Sequence, residues 1–287
     1  MKGSYLQQLE AALTVAGKAP ATVHAYTACV KDFIAFAGVT ASHLGRAHIA
    51  CFLVHLRDER HLEPSTVKGY VYAMRFFFEV VLGRPELVAN LKAPRVTPKP
   101  IAVLSPDEVV KLFDGFRSRV YRTVACLIYA TGLRISEALA LTIDDIDAQR
   151  GVIVVHKTKV RRPRLVRLSK ALLHLLRCYW RDVRPAKPLL FPGLDPTVPL
   201  NQATLQGAFK AAARDAGLHK VVTPHVLRHT YATHLLEAGV DIHTVQLLLG
   251  HANIAATLRY LHVSTAHLAG RPSQLHPLLA DPLPAVP

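Results

Sequence analysis

The sequence predicts a mainly α-helical chain with a small antiparallel β-sheet, divided into two domains. Three observations predict it. Apolar residues recur at three- and four-residue spacing in runs of helical length that glycines close. Around GVIVVHKTKVRRPRLVRLS the pattern changes to short apolar or alternating runs of strand length. The segment KAPRVTPKPIAV, with three prolines and three basic residues, separates the helical text into two parts.

Residues 1–92 read as a small helical domain. Leu6, Leu9 and Leu13 share a helical face before Gly17. A second helix, from about Ala21 to Ala37, carries Val23, Tyr26, Val30, Phe33 and Ile34 and stops at Gly38. A third, from about Ala47 to Arg60, carries Ile49, Phe52, Leu53 and Leu56. The fourth opens at Pro64-Ser65-Thr66 and runs to Leu82, before Gly83. Its Met74, Phe76, Phe77 and Phe78 read as core rather than as a base-stacking platform, because aromatics at helical spacing pack more often than they stack. Residues 93–104 read as a linker, since proline removes backbone donors and favours extended chain.

The second domain, 105–287, opens on a capping box in which Ser105 is the N-cap, Pro106 the first helical residue and Glu108 the reciprocal partner. A helix from about Val120 to Ala130 follows, broken by Gly132, with Arg134 at the junction to the next. Taken by itself, Arg134 would pair with Glu137 at the surface. Two short strands then flank a basic run: seven basic residues and no acid lie between Lys157 and Lys170. A hairpin tip this basic is suited to phosphate, through Lys157, Arg161, Arg162 and Arg164. Helices follow at about Lys170–Val183 and Asn201–Ala216.

The densest functional text is TPHVLRHTYATHLLEAGVDIHTVQLLLGHANIAATLRYLHV, from Thr223 to Val263. His225 and Arg228 are three apart on one helix and share a face. A turn at Ala238-Gly239, a second helix ended by Gly250, and His251 come next, with Tyr260 nine residues beyond His251. Arginine brings a fixed charge and a planar fork suited to phosphate. Histidines can bond phosphate oxygens or move protons, and a tyrosine hydroxyl can be a nucleophile. His225 and His229, four apart, would also suit zinc, but no H-E-x-x-H and no nearby Cys accompanies them. His229, His234, His243 and His262 read as packing or surface residues, and Tyr231 as packing.

Composition agrees with such chemistry. The 287 residues carry a formal net charge of +15, an excess that favours a polyanionic partner, usually nucleic acid. Cys29, Cys51, Cys126 and Cys178 are far apart and each lies in apolar helical text, so buried free thiols and a reducing cytoplasm are expected. The N-terminal MKGSYLQQLEAAL has no continuous apolar run of a signal peptide, and RFFFEVVLG is too short to span a bilayer.

H-x-x-R, L-L-G-H and the following tyrosine resemble the terminal box of the tyrosine recombinases, the phage-integrase family. PHVLRHTYATHLLEAG and LLGHANIAATLRYLHV are similar to the Xer branch and its transposon-borne relatives. Thr131-Gly132-Leu133-Arg134 with Ser136-Glu137 resembles that family's first box. The resemblance implies a helical core-binding, SAM-like domain at 1–92 and a catalytic domain at 105–287. It implies DNA contacts near the starts of the second and fourth helices, at Lys18, Thr22, Thr66, Lys68 and Arg75. It implies a catalytic set of Arg134, Lys159, His225, Arg228, His251 and Tyr260. Lys157 and Lys159 share a strand face, so pleat parity does not separate them. The family lysine precedes the Arg of R-L-V-x-L by five, which selects Lys159. The expected reaction is strand cleavage and rejoining through a 3′-phosphotyrosine, with no cofactor and no metal, on double-stranded DNA sites held by a homo-tetramer, with or without a second recombinase. A DNA-binding protein that does not cut, and a type IB topoisomerase acting as a monomer, are the alternatives. After Tyr260, Pro272 and Pro277 limit any further helix.

Overall fold

The computed structural model describes residues 2–97, 102–156, 163–250 and 255–258. The chain divides into two compact units, residues 1–99 and 100–287.

The first unit holds α1 (Lys2–Val15), α2 (Pro20–Ala37), α3 (Arg46–Val54) and α4 (Pro64–Phe76). Pro20 and Pro64 open their helices, where a missing N–H is harmless. α3 and α4 each run on into one wider turn, His55–Glu59 and Phe77–Val81, so the helical pattern read to Arg60 and Leu82 holds. Leu9, Leu13, Phe33, Phe52, Met74, Phe77 and Phe78 form its core with no solvent exposure. The Phe33 ring lies 5.2 Å from Phe52 and 6.0 Å from Phe78. These aromatics are spent on one another, while Phe76 is half-buried.

The second unit holds α5 (Pro106–Asp114), α6 (Arg119–Thr131), α7 (Ile135–Leu139), β1 (Ile146–Asp147), β2 (Val152–Val155), β3 (Arg164–Arg167), α8 (Lys170–Val183), α9 (Gln202–Asp215), α10 (Pro224–Glu237), α11 (Ile242–Leu249) and α12 (Ala255–Leu258). The box at Ser105 forms: its hydroxyl accepts from the Glu108 N–H at 3.2 Å, and the Glu108 carboxylate accepts from the Ser105 N–H at 2.8 Å. α6 is buried without a break from Thr123 to Tyr129, and α10 from Thr230 to Leu236. Helices apolar on most sides belong in a core, and these two pack against each other at the centre of the unit.

Leu104, expected as the last linker residue, is instead fully buried in this core. Its N–H donates to Thr230 Oγ1 at 3.2 Å and its carbonyl accepts from His234 Nε2 at 3.0 Å. With that proton on Nε2, Nδ1 is left to accept from the Tyr129 hydroxyl at 2.8 Å. His234 is thus a satisfied packing residue.

The sheet is antiparallel in the order β1-β2-β3. Ile153 pairs with Val166 and Val155 with Arg164. Ile153, Val155 and Val166 turn to the core, while Leu165, one residue out of phase, is 50% exposed. β1, only two residues long, is too short to show a period in the sequence. Burial of all four cysteines does not hold: Cys126 is buried, Cys29 and Cys178 are half-buried and Cys51 is exposed. Burial pushes the Cys126 thiol up to about 12, which keeps it protonated. No helix among the described residues is long and apolar enough to cross a membrane.

At Gly115, where α5 ends, an added Cβ would stand 2.3 Å from the Ala212 carbonyl oxygen on α9. Backbone would have to move from backbone. Gly115→Ala is expected to cost about 1–3 kcal/mol, read as a lower urea midpoint at unchanged slope.

Candidate active site

Gly132 ends α6 in a left-handed turn, φ 66°, and a Cβ there would lie 2.5 Å from the Tyr231 ring. Only glycine meets both demands, so the end of α6 rests directly on α10. Two residues later Arg134 caps α7 in extended backbone. Its backbone N–H donates to Glu137 Oε2 at 2.9 Å, and its Nη1 to Glu137 Oε1 at 3.0 Å. The Arg134 side chain is 38% exposed, but Glu137 only 13%. The pairing foreseen between them exists, yet its carboxylate lies inside the protein.

Arg228 enters from α10 and is 3% exposed. Its Nη1 donates to the Gly132 carbonyl at 2.5 Å and its Nη2 to the Leu249 carbonyl at 2.8 Å. Nη1 also stands 3.9 Å from Glu137 Oε2. One guanidinium therefore joins the end of α6, the end of α11 and the buried carboxylate. Leu249 is the last residue of α11, and Gly250 caps it in the left-handed conformation, immediately before His251.

His225 is the second residue of α10, after Pro224, and is open to solvent. Desolvation by its surroundings, then the Arg228 and Arg134 charges, lower its pKa below the ordinary histidine value. The helix N-terminus acts in the same sense, since it disfavours a cation. The ring is held neutral and able to accept a proton. Tyr231, two turns further on, is 4% exposed, and burial raises its phenol pKa, so it is placed to pack.

Arg164, expected to touch DNA phosphate, requires correction. Pleat parity puts it on the face of Val155 and Val166, toward the core. Its Nη1 and Nη2 donate to the two oxygens of Glu137, each at 2.8 Å, and its side chain is 10% exposed. Three arginines thus share one carboxylate. Burial alone pushes the Glu137 carboxyl up, but bonds from Arg164 and the Arg134 backbone, with both charges, bring it down to about 2.

The structure brings Arg134, His225 and Arg228 together. Lys157, Lys159, Arg161, Arg162, His251 and Tyr260 lie outside the described residues. In the first unit Lys18 and Thr66 are exposed, Thr22 and Lys68 half-buried, and the Lys68 ammonium sits 5.8 Å above the Tyr72 ring. Arg75 is half-buried with its Nε buried and unpartnered. Among the described residues no group of three or more His, Cys, Asp or Glu could hold a metal ion.

Residues 102–267 match the phage integrase family, and residues 5–86 match the N-terminal SAM-like domain of phage integrases. This chain belongs to the phage integrase family. A Sinorhizobium fredii protein named provisionally as an integrase/recombinase is 40% identical over 91% of this chain and 85% of its own length. Tyrosine recombinase XerA of Thermococcus kodakarensis is 33% identical over 92% of each chain. The fold is that of XerH site-specific recombinase in its post-cleavage complex with a palindromic difH substrate, at TM-score 0.70 and 23% identity over 92% of this chain and 82% of that one.

Within this integrase-family chain, Glu137 reads in the sequence as a surface partner for Arg134 and as part of the text of the first box, with no role of its own. The signal that could have found its role was Arg164, whose spacing from Val166 points it inward. Glu137→Gln would leave Arg164 and Arg228 facing one another without a counter-ion. Removing one partner from a buried ion pair costs about 3–5 kcal/mol, to be read in chemical denaturation. The folded-state pKa is depressed, so this stabilisation is complete above the ordinary carboxyl value of about 4.3 and is lost as pH falls toward about 2. The variant should lack that part of the acid transition.

Proposed function

We propose that this chain, a tyrosine-type site-specific DNA recombinase, cuts and rejoins strands through Tyr260. The Tyr260 oxygen bonds to the scissile phosphorus, and the bond to the deoxyribose 5′-oxygen breaks. His225 accepts the tyrosyl proton and Lys159 gives one to the leaving oxygen. Arg134 and Arg228 hold the non-bridging oxygens, whose charge builds in the transition state, and His251 adds a donor. A 5′-hydroxyl from a partner duplex then attacks the 3′-phosphotyrosine and releases Tyr260. Bond energy is kept in the covalent link, so no nucleotide is consumed.

The observation that carries this reading is the meeting of Arg134, Arg228 and the lowered-pKa His225 at one junction of α7 and α10. Fixed cations beside a neutral base are what in-line displacement at a phosphodiester needs. The partner is double-stranded DNA, and exchange between two sites calls for a tetramer of this chain, with or without a second recombinase. A cytoplasmic location suits DNA as the substrate. The first unit is read as the core-binding half, with Lys18, Thr22, Thr66, Lys68 and Arg75 toward the duplex. The hairpin residues Lys157, Arg161 and Arg162 are read as phosphate contacts.

A nicked suicide duplex should trap a covalent protein–DNA adduct in excess EDTA. Tyr260→Phe should bind the same duplex and trap none. An adduct that survives in that variant would move the nucleophile elsewhere, and one that needs added divalent metal would return attention to His225 and His229 as ligands.

The cleavage rate should also carry an acid limb set by His225. A base must be neutral to act, so the rate falls as pH drops through a pKa below the usual value of about 6.5. Glu137 stays ionised throughout this range, its pKa being about 2. His225→Asn should be slower by roughly 10²–10⁴ and flat across that window. The same limb persisting in the variant would assign the base to another residue.

A further inference from the structure

Arg164 lies beneath the site rather than in it. Its fork takes both oxygens of Glu137, at 2.8 Å each, and leaves Arg134 a single side-chain contact at 3.0 Å. Its Nε is buried and has no partner among the described residues, where the carboxylate is what compensates the desolvation of this cation. Gly250 closes over it: a Cβ there would meet Arg164 Cδ and Nη1 at 3.0 Å. The side chain is therefore clamped between the start of β3, the first turn of α7 and the turn that leads into His251.

The electrostatic consequence follows from charge balance. Three guanidinium groups face one carboxylate. With Arg164 in place, Glu137 is neutralised from below and the charges of Arg134 and Arg228 remain available to a phosphate. Without it, the same carboxylate would be free to draw both arginines onto itself. A bidentate carboxylate–guanidinium pair is the strongest form of such a clamp.

We propose that Arg164 is a positioning residue for strand cleavage: by occupying Glu137 it keeps Arg134 and Arg228 aimed at the scissile phosphate, and it does not itself contact DNA. This rests on the recombinase reading above.

The test compares single-turnover cleavage of the suicide duplex with equilibrium binding across a salt series. Arg164→Gln should cut about 10- to 100-fold more slowly at saturating DNA, the range typical when a residue supporting a primary contact is removed. Its affinity and salt slope should match those of the parent. Loss of affinity with a slope smaller by about one would make Arg164 a phosphate contact and overturn the proposal. The double variant Arg164→Gln, Glu137→Gln should cleave several-fold faster than Arg164→Gln alone, because the carboxylate that competes for Arg134 and Arg228 is gone. If the double variant is equally slow or slower, Arg164 does not act through Glu137 and the idea falls. Should Arg164→Gln not fold, Arg164→Lys serves the same readouts. It keeps the charge and loses the fork, and should cut several-fold more slowly than the parent with binding and salt slope unchanged; a parental rate, or a smaller slope with lost affinity, would overturn the proposal. Parent adduct that persists in Tyr260→Phe would defeat the assignment of the nucleophile but not this proposal, since the rate ratios and binding slopes are measured against the parent whichever residue attacks.

Discussion

A carboxylate removed from water is costly unless cations and hydrogen bonds replace its hydration. Glu137 is such a carboxylate, and the second unit is arranged to satisfy it. The first turn of α7 supplies the Arg134 backbone N–H and side chain, β3 supplies Arg164, and α10 supplies Arg228. Three elements far apart in sequence are drawn to one point. Through Glu137, β3 and α10 are tied to α7 by charge.

Arg134 and Arg228 carry the same charge but stand in different situations. Arg228 is nearly enclosed and has its terminal nitrogens on two helix-end carbonyls. It fixes distances between α6, α10 and α11, and its direction is set before any ligand arrives. Arg134 is more open, with one side-chain bond to Glu137. A rigid cation beside a more accessible one suits a group whose charge grows during reaction, because little reorganisation is left to be done. His225, opening α10 beside both, is pushed toward its neutral form by desolvation and then by their charges.

Much of this was legible in the residues. Helix ends could be read because proline, serine and glycine mark them chemically: Pro64, Ser105 and Gly132 stand where the chain starts or stops. The sharing of a face by His225 and Arg228 followed from their spacing alone. What escaped the sequence depended on partners distant along it. Glu137 lies 27 residues from Arg164, and no local pattern shows that they meet. Arg164 could have been turned inward by parity with Val166, but its basic surroundings suggested solvent and phosphate instead. Leu104 reads as linker because prolines precede it, and only the packed Thr230 and His234 make it core. For Lys159, His251 and Tyr260, sequence spacing remains the argument.

The two bonds at Leu104 join the incoming chain to Thr230 and His234 on α10, the helix that bears His225 and Arg228. A pull on the chain at Leu104 would therefore be taken up by α10 through two buried hydrogen bonds. The chain enters this unit at a mechanical mooring, on the stretch of α10 from Thr230 to Leu236 that is buried without a break.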